Sequence, residues 1–159
     1  MKPFITIAIL GMILVLTQTG FGQPAPTSLD PVDSQLIKAQ KLCLTYLEKG
    51  NKPDDALKNT LSSTGIQVLD TSGSYVVSIG RRQDGGNILE TKDANGKFFV
   101  KDMIATAQSL GKEELATIRY TWQNPGDKKR AKACRFFYLT DWKWIVFAIS
   151  YDDTSRNAD

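Results

Sequence analysis

Residues 117–123, 131–139 and 144–151 form three consecutive runs rich in β-branched and aromatic side chains, separated by gaps with room only for hairpin turns. Parallel strands need a crossover of roughly a dozen residues, so the C-terminal third of this chain is constrained to an antiparallel meander. Pro125 and Gly126 mark the first turn. Side chains alternate across a strand, so Ile118, Tyr120 and Trp122 share one face while Arg119, Thr121 and Gln123 share the other. On the next strand Lys132, Cys134, Phe136 and Tyr138 alternate with Ala133, Arg135 and Phe137. Trp142, Trp144 and Phe147 read as core.

Ahead of the meander the periodicity is mixed. Asp30 and Pro31 read as a helix N-cap and first helical residue, and Val32, Leu36, Ile37, Cys43, Leu44 and Leu47 fall largely on one face of a helix that Gly50 ends. A shorter helix restarts at 51–55, with Pro53 early, acids near its positive end, and Ala56, Leu57 and Leu61 as its buried side. Ile66, Val68 and Leu69, a turn at Asp70 to Gly73, and Tyr75 to Val77 predict a β-hairpin. A loop marked by Asp84 to Asn87 and Asp93 to Gly96 follows. Phe99, Met103, Ala107 and Leu110 then recur at helical spacing, with Gly111 as a stop. Helix, helix, two strands, helix, three strands predicts an α+β domain with helices packed outside antiparallel hairpins.

Residues 1–22 read as a signal peptide: Lys2, an apolar stretch from Phe4 to Leu16 broken by Thr6 and Gly11, and small Gly20 and Gly22 at the cleavage positions. The apolar stretch falls short of the about 20 residues a membrane span needs, so cleavage is expected rather than retention as an anchor. The expected location is the bacterial periplasm or outside the cell. Residues 23–30 form a flexible leader, 31–153 a single domain and 154–159 a tail. The formal charge of +3 is interspersed along the chain and gives no basis for nucleic-acid binding. The basic run at Lys128, Lys129, Arg130 and Lys132 reads as a solvated hairpin tip. Cys43 and Cys134 either bridge the first helix to the sheet, as an oxidising compartment permits, or remain two small buried hydrophobes.

Tyr120, Trp122, Pro125, Gly126, Lys132, Trp142, Trp144, Tyr151 and Asp153 fall in an order and spacing similar to the C-terminal half of single Cache domains. Asp70 and Gly73 match that family's first turn, and Asn87 to Leu89 with Asp93 to Lys97 resemble its loop before the central helix. The chain is thus identified, over about residues 53–153, as resembling the Cache family of extracytoplasmic, PAS-like sensor domains of bacterial receptors. The resemblance implies N-terminal helices behind a central antiparallel sheet of about five strands. It also implies a pocket for small organic acids, amino acids or amines. The chain departs from the family pattern at three places: Ser78 and Ile79 replace a His-Pro pair, Arg135 replaces a tyrosine, and Phe147 and Ile149 replace glycines.

The sequence has no histidine, which removes His-dependent nucleophile systems and His-based zinc sites. Asp93, Asn95 and Gly96 begin like a calcium loop, but Lys97 and Ile104 stand where oxygen ligands are needed. Asp152 and Asp153 read as a solvated strand end. No catalysis, metal or cofactor is expected. The expected site is a binding face made by Tyr120, Trp122, Lys132 and Arg135, with Tyr75 and Ser78 completing it. Rings would exclude water, the cations would pair with an anion, and hydroxyls would orient it. No helix follows Tyr151, so a signal is expected to reach a separate membrane sensor protein or to use a retained N-terminal segment. The alternative expectation is a structural or protein-interaction domain whose pocket is filled by Phe147 and Ile149.

Overall fold

The computed structural model describes residues 31–152. The signal segment, the leader, the Asp30 cap, Asp153 and the tail therefore lie outside the described residues. Helices α1 (Pro31–Glu48) and α2 (Asp55–Ser63) precede strands β1 (Gln67–Asp70) and β2 (Tyr75–Val77). A short 3-10 turn, Ile79–Arg81, leads into a loop, helix α3 (Phe99–Ser109) and the meander β3 (Leu115–Trp122), β4 (Arg130–Leu139) and β5 (Trp144–Tyr151). The strands form one antiparallel five-stranded sheet in the order β2-β1-β5-β4-β3. The expected α+β, PAS-like arrangement is what the chain adopts.

Two clusters pack on opposite faces of this sheet. On one, Leu36, Ala39 and Cys43 of α1 and Leu57 and Leu61 of α2 meet Val68, Val77, Phe137, Leu139, Trp144 and Val146. On the other, Val100, Met103, Ile104 and Ala107 of α3 meet Leu69, Tyr120, Cys134, Phe136, Ile145 and Phe147. Consecutive residues of β4 and β5 therefore point into different cores. The buried stripe of α1 runs through Leu36, Ala39 and Cys43, so Ile37, about 100° round the helix from Leu36, stays 40% exposed. Ala56 is exposed for the same reason beside buried Leu57. Asp54, within the expected 51–55 restart, caps α2, its carboxylate accepting from Leu57 N at 2.8 Å.

Side-chain hydrogen bonds fix the turns. Asp70 Oδ1 accepts from Ser72 N at 2.8 Å and Ser74 N at 3.0 Å. Gly73 has φ +83°, and a Cβ there would stand 2.8 Å from Leu89 Cβ, so no side chain fits. Asp93, on the loop before α3, accepts from Asn95 N and Lys97 N at 2.9 Å each and from Thr121 N of β3 at 3.1 Å. Ala94 N donates to Thr121 O at 2.8 Å, which fastens this loop along the outer edge of β3.

The Cys43–Cys134 bridge does not form. Both are free, buried thiols, Cys43 in the helix-side cluster and Cys134 in the α3-side cluster with Sγ 3.7 Å from Met103 Sδ. A disulfide needs the sulfurs about 2 Å apart, and the sheet lies between these two. Burial pushes the Cys43 thiol up to about 12 and the Cys134 thiol up as well, so both stay protonated at neutral pH.

Two outcomes follow from this packing. Alkylation at neutral pH should label neither cysteine in the native protein and both after unfolding, and melting should be the same with and without reductant; a mass 2 Da short of the dithiol form would contradict the structure. Burial raises the Asp93 pKa, but the Lys97, Thr121 and Asn95 N–H donors outweigh it and the net value is lowered. A lowered folded pKa gives stability that is present above the unfolded carboxylate range and lost as pH falls through the folded value. Asp93→Asn should therefore cost about 1–3 kcal/mol at pH 7 and flatten the acid limb of a melting-temperature profile. An unchanged acid limb would show that Asp93 does not carry it.

Candidate functional site

A cavity of about 310 Å³ lies between α3 and the sheet. Its wall takes Tyr75 from β2, Gln83, Ile88 and Thr91 from the loop before α3, and Phe99 and Met103 from α3. Tyr120 and Trp122 of β3, Lys132 and Cys134 of β4, and Phe147 and Ile149 of β5 complete it. The cavity follows from unequal lengths. Eleven helical residues of α3 span roughly 16 Å, whereas the ten residues of β4 extend about twice as far, so part of this sheet face is left uncovered.

The aromatic wall has defined geometry. Phe99 stacks on Tyr120 with ring centroids 4.2 Å apart and planes 8° from parallel. Trp122 stands edge-on to both, at 6.3 Å from Phe99 and 6.4 Å from Tyr120. Its indole N–H is satisfied by Asn124 Oδ1 at 2.9 Å, which fixes the ring. Lys132 pairs across the sheet with Tyr120 on one side and Tyr151 on the other. Its Nζ lies 5.5 Å from the Trp122 ring and 5.2 Å from the Tyr151 ring, and among the described residues no carboxylate pairs with it. Burial, with Cys134, Tyr75 and Tyr151 adjoining, raises the Tyr120 phenol, and burial with Cys134 beside it raises Tyr75. Both phenols are hydrogen-bond donors at neutral pH. Neither hydroxyl bonds another described residue. No Asp or Glu lines the cavity.

Of the six residues expected at the site, Tyr75, Tyr120, Trp122 and Lys132 line this cavity together. Arg135 does not. Its odd position on β4 sends it to the α1 face, where Nη1 meets Asp33 Oδ1 at 2.9 Å. Ser78 is also elsewhere: it is buried, its N and Oγ donate to Asp84 Oδ1 at 2.8 and 2.9 Å, and its carbonyl accepts from Ser62 Oγ at 2.8 Å. Phe147 and Ile149 line the cavity without closing it. Sequence reasoning missed Phe99 and Met103 as wall residues because helical periodicity marks a buried face but not a gap beneath it. Gln83, Ile88 and Thr91 sit in a loop with no periodic signal.

The family model described as single Cache domain 2 matches residues 34–158. No curated protein sequence matches the chain. Among solved structures, a methyl-accepting chemotaxis protein from Vibrio parahaemolyticus RIMD 2210633 is similar, with TM-score 0.62 and 19% identity over 77% of this chain and 87% of that one. A periplasmic sensor domain of a chemotaxis protein gives 0.57 and 17%, over 76% of this chain and 90% of that one. A Cache chemosensory domain, described for its carboxylic acid recognition, gives 0.59 and 17%, over 77% and 91%. At these identities the likeness concerns the fold, whereas the family match covers most of the sequence. The chain belongs to the single Cache domain 2 family of sensor domains.

Proposed function

We propose that this domain is an exported, non-catalytic sensor module that captures a small organic carboxylate in the cavity between α3 and the sheet. The observation that carries the reading is Lys132, an ammonium on an aromatic wall in a cavity lined by no acidic residue. A carboxylate would supply the missing countercharge, and the Tyr75 and Tyr120 hydroxyls, with Gln83 and Thr91, offer it further polar contacts. An amine would meet a like charge at Lys132 and no carboxylate, with only ring faces and neutral oxygens to answer it, so amines fit this cavity less well than carboxylates. A zwitterionic amino acid would place its ammonium against ring faces and neutral oxygens, with no carboxylate to pair it. The volume of about 310 Å³, roughly that of ten waters in the liquid, admits a small organic acid of up to about ten heavy atoms. The carboxylic acid recognition named for one structural relative agrees with this ligand class.

The alternative of a filled pocket serving a structural role is disfavoured by the open space that remains beside Phe147 and Ile149. Export rests on the signal-like residues 1–22. Among the described residues no helix is long and apolar enough to cross a membrane. On this proposal, ligand-dependent signalling passes to a membrane sensor partner or through the N-terminal segment.

Thermal-shift screening and calorimetry against acetate, propionate, pyruvate, lactate and matched amines test the reading. A carboxylate at a hundred times its dissociation constant should add about 2.7 kcal/mol of stability. Lys132→Gln should weaken that carboxylate about tenfold or more while leaving the fold intact. Binding of the amines instead, or equal carboxylate affinity in Lys132→Gln, would overturn the assignment.

A further inference from the structure

We infer that Arg81, which does not touch the cavity, is a positioning residue for its wall and couples that wall to α2; the ligand-binding part of this inference rests on the reading just proposed. The loop after β2 carries Gln83 into the cavity lining, and its shape is held by a compact polar network. Gln83 N donates to Ser78 Oγ at 2.9 Å, and Ser78 N and Oγ donate to Asp84 Oδ1. Arg81 Nε closes the network on Asp84 Oδ2 at 2.7 Å. The same loop folds back onto β2, because Gly85 N donates to Tyr75 O and Tyr75 N to Gly86 O, each at 2.8 Å. Two wall residues, Tyr75 and Gln83, are thus set by one loop.

The guanidinium also faces the other way. Arg81 Nη1 donates to Asn59 Oδ1 at 2.9 Å and to Asp55 Oδ1 at 3.1 Å, both on α2. Ser62 Oγ of α2 adds its bond to Ser78 O. Asp55 and Asn59 are both exposed, so each of their bonds contributes little, and the buried Ser62–Ser78 bond is the firmest part of the connection. The fork geometry of an arginine is needed here, because one group must reach a loop carboxylate and two helix acceptors at once.

The backbone shows that this segment is held rather than relaxed. Gly80 and Arg81 have φ of +62° and +56° in succession, and a non-glycine residue adopts that region only when its surroundings fix it. Released from α2, the turn has a conformational reason to change, and Gln83, two residues on, would move with it. Binding that orders the wall must then, by reciprocity, order the loop's contact with α2. The device gives the cavity a mechanical connection to the helix layer on the far side of the sheet.

The double variant Asn59→Ala/Ser62→Ala removes two of the three side-chain bonds to α2, spares the exposed Arg81–Asp55 pair, and leaves every bond within the loop. Hydrogen exchange of the full chain without ligand should show faster exchange at the Gly85 and Gly86 amides, with β3–β5 unchanged. Arg81→Ala should do the same and Arg81→Lys, which keeps the charge but not the fork, should be only partly corrective. For acetate, propionate or pyruvate, whichever binds the wild type, affinity should fall about threefold to tenfold in the double variant. Wild-type exchange at Gly85 and Gly86 in the double variant would overturn the coupling, as would faster exchange with unaltered carboxylate affinity. If none of the carboxylates binds the wild type, the ligand reading fails, and the ligand-free exchange comparison still decides the mechanical link.

Discussion

The β4–β5 ladder is the element on which the rest of this domain depends, because it is covered on both faces. Phe136 and Phe137 are adjacent in sequence, almost wholly buried, and belong to different cores. A one-residue slip in this register would exchange the two sets of side chains, sending Cys134 and Phe136 toward α1 and Arg135 toward the cavity. The full pairing from Lys132–Tyr151 to Leu139–Trp144 therefore fixes more than sheet stability. It decides which cation faces the cavity and which faces a helix.

Given that register, the site is a consequence of incomplete cover. The face toward α1 and α2 is closed by two helices, and Arg135 on it is answered by Asp33. The face toward α3 is closed over part of its length only. Where cover fails, rings and one ammonium join Ile88, Met103 and Ile149 in lining the gap. One side of the sheet is thus packed throughout and the other holds both a core and the cavity, and the two sides are joined at β2 and the loop that follows it.

The sequence made the strands and helices legible because alternation and helical spacing are local signals. Parity alone puts Tyr120 and Trp122 on one face of β3, and the register, which pairs Tyr120 with Lys132, brings Lys132 and Tyr75 to the same cavity. Parity also contained the answer for Arg135, an odd residue on a strand whose even residues face the cavity. It was grouped with Lys132 because mid-strand cations are uncommon, and composition took precedence over geometry. Ser78 was misplaced for a different reason. Its role lies in bonds to Asp84 and Ser62, six and sixteen positions away, and no periodicity reports such contacts. The separation of Cys43 from Cys134 is likewise a property of sheet sidedness, visible only once α1 is known to lie opposite α3.

The fastening of residues 93–95 along Thr121 has a consequence for how copies of this chain meet one another. β3 is an edge strand, and an unpaired edge invites a second chain to continue the sheet. The Asp93 carboxylate and the Ala94 amide occupy the N–H and C=O of Thr121, so the edge is already taken beside the cavity. Farther along, Arg119 is drawn to Asp152 at 2.8 Å and sets a charge on the strand. Together they hinder intermolecular sheet growth along this edge, which borders the strand that carries Tyr120 and Trp122 into the cavity.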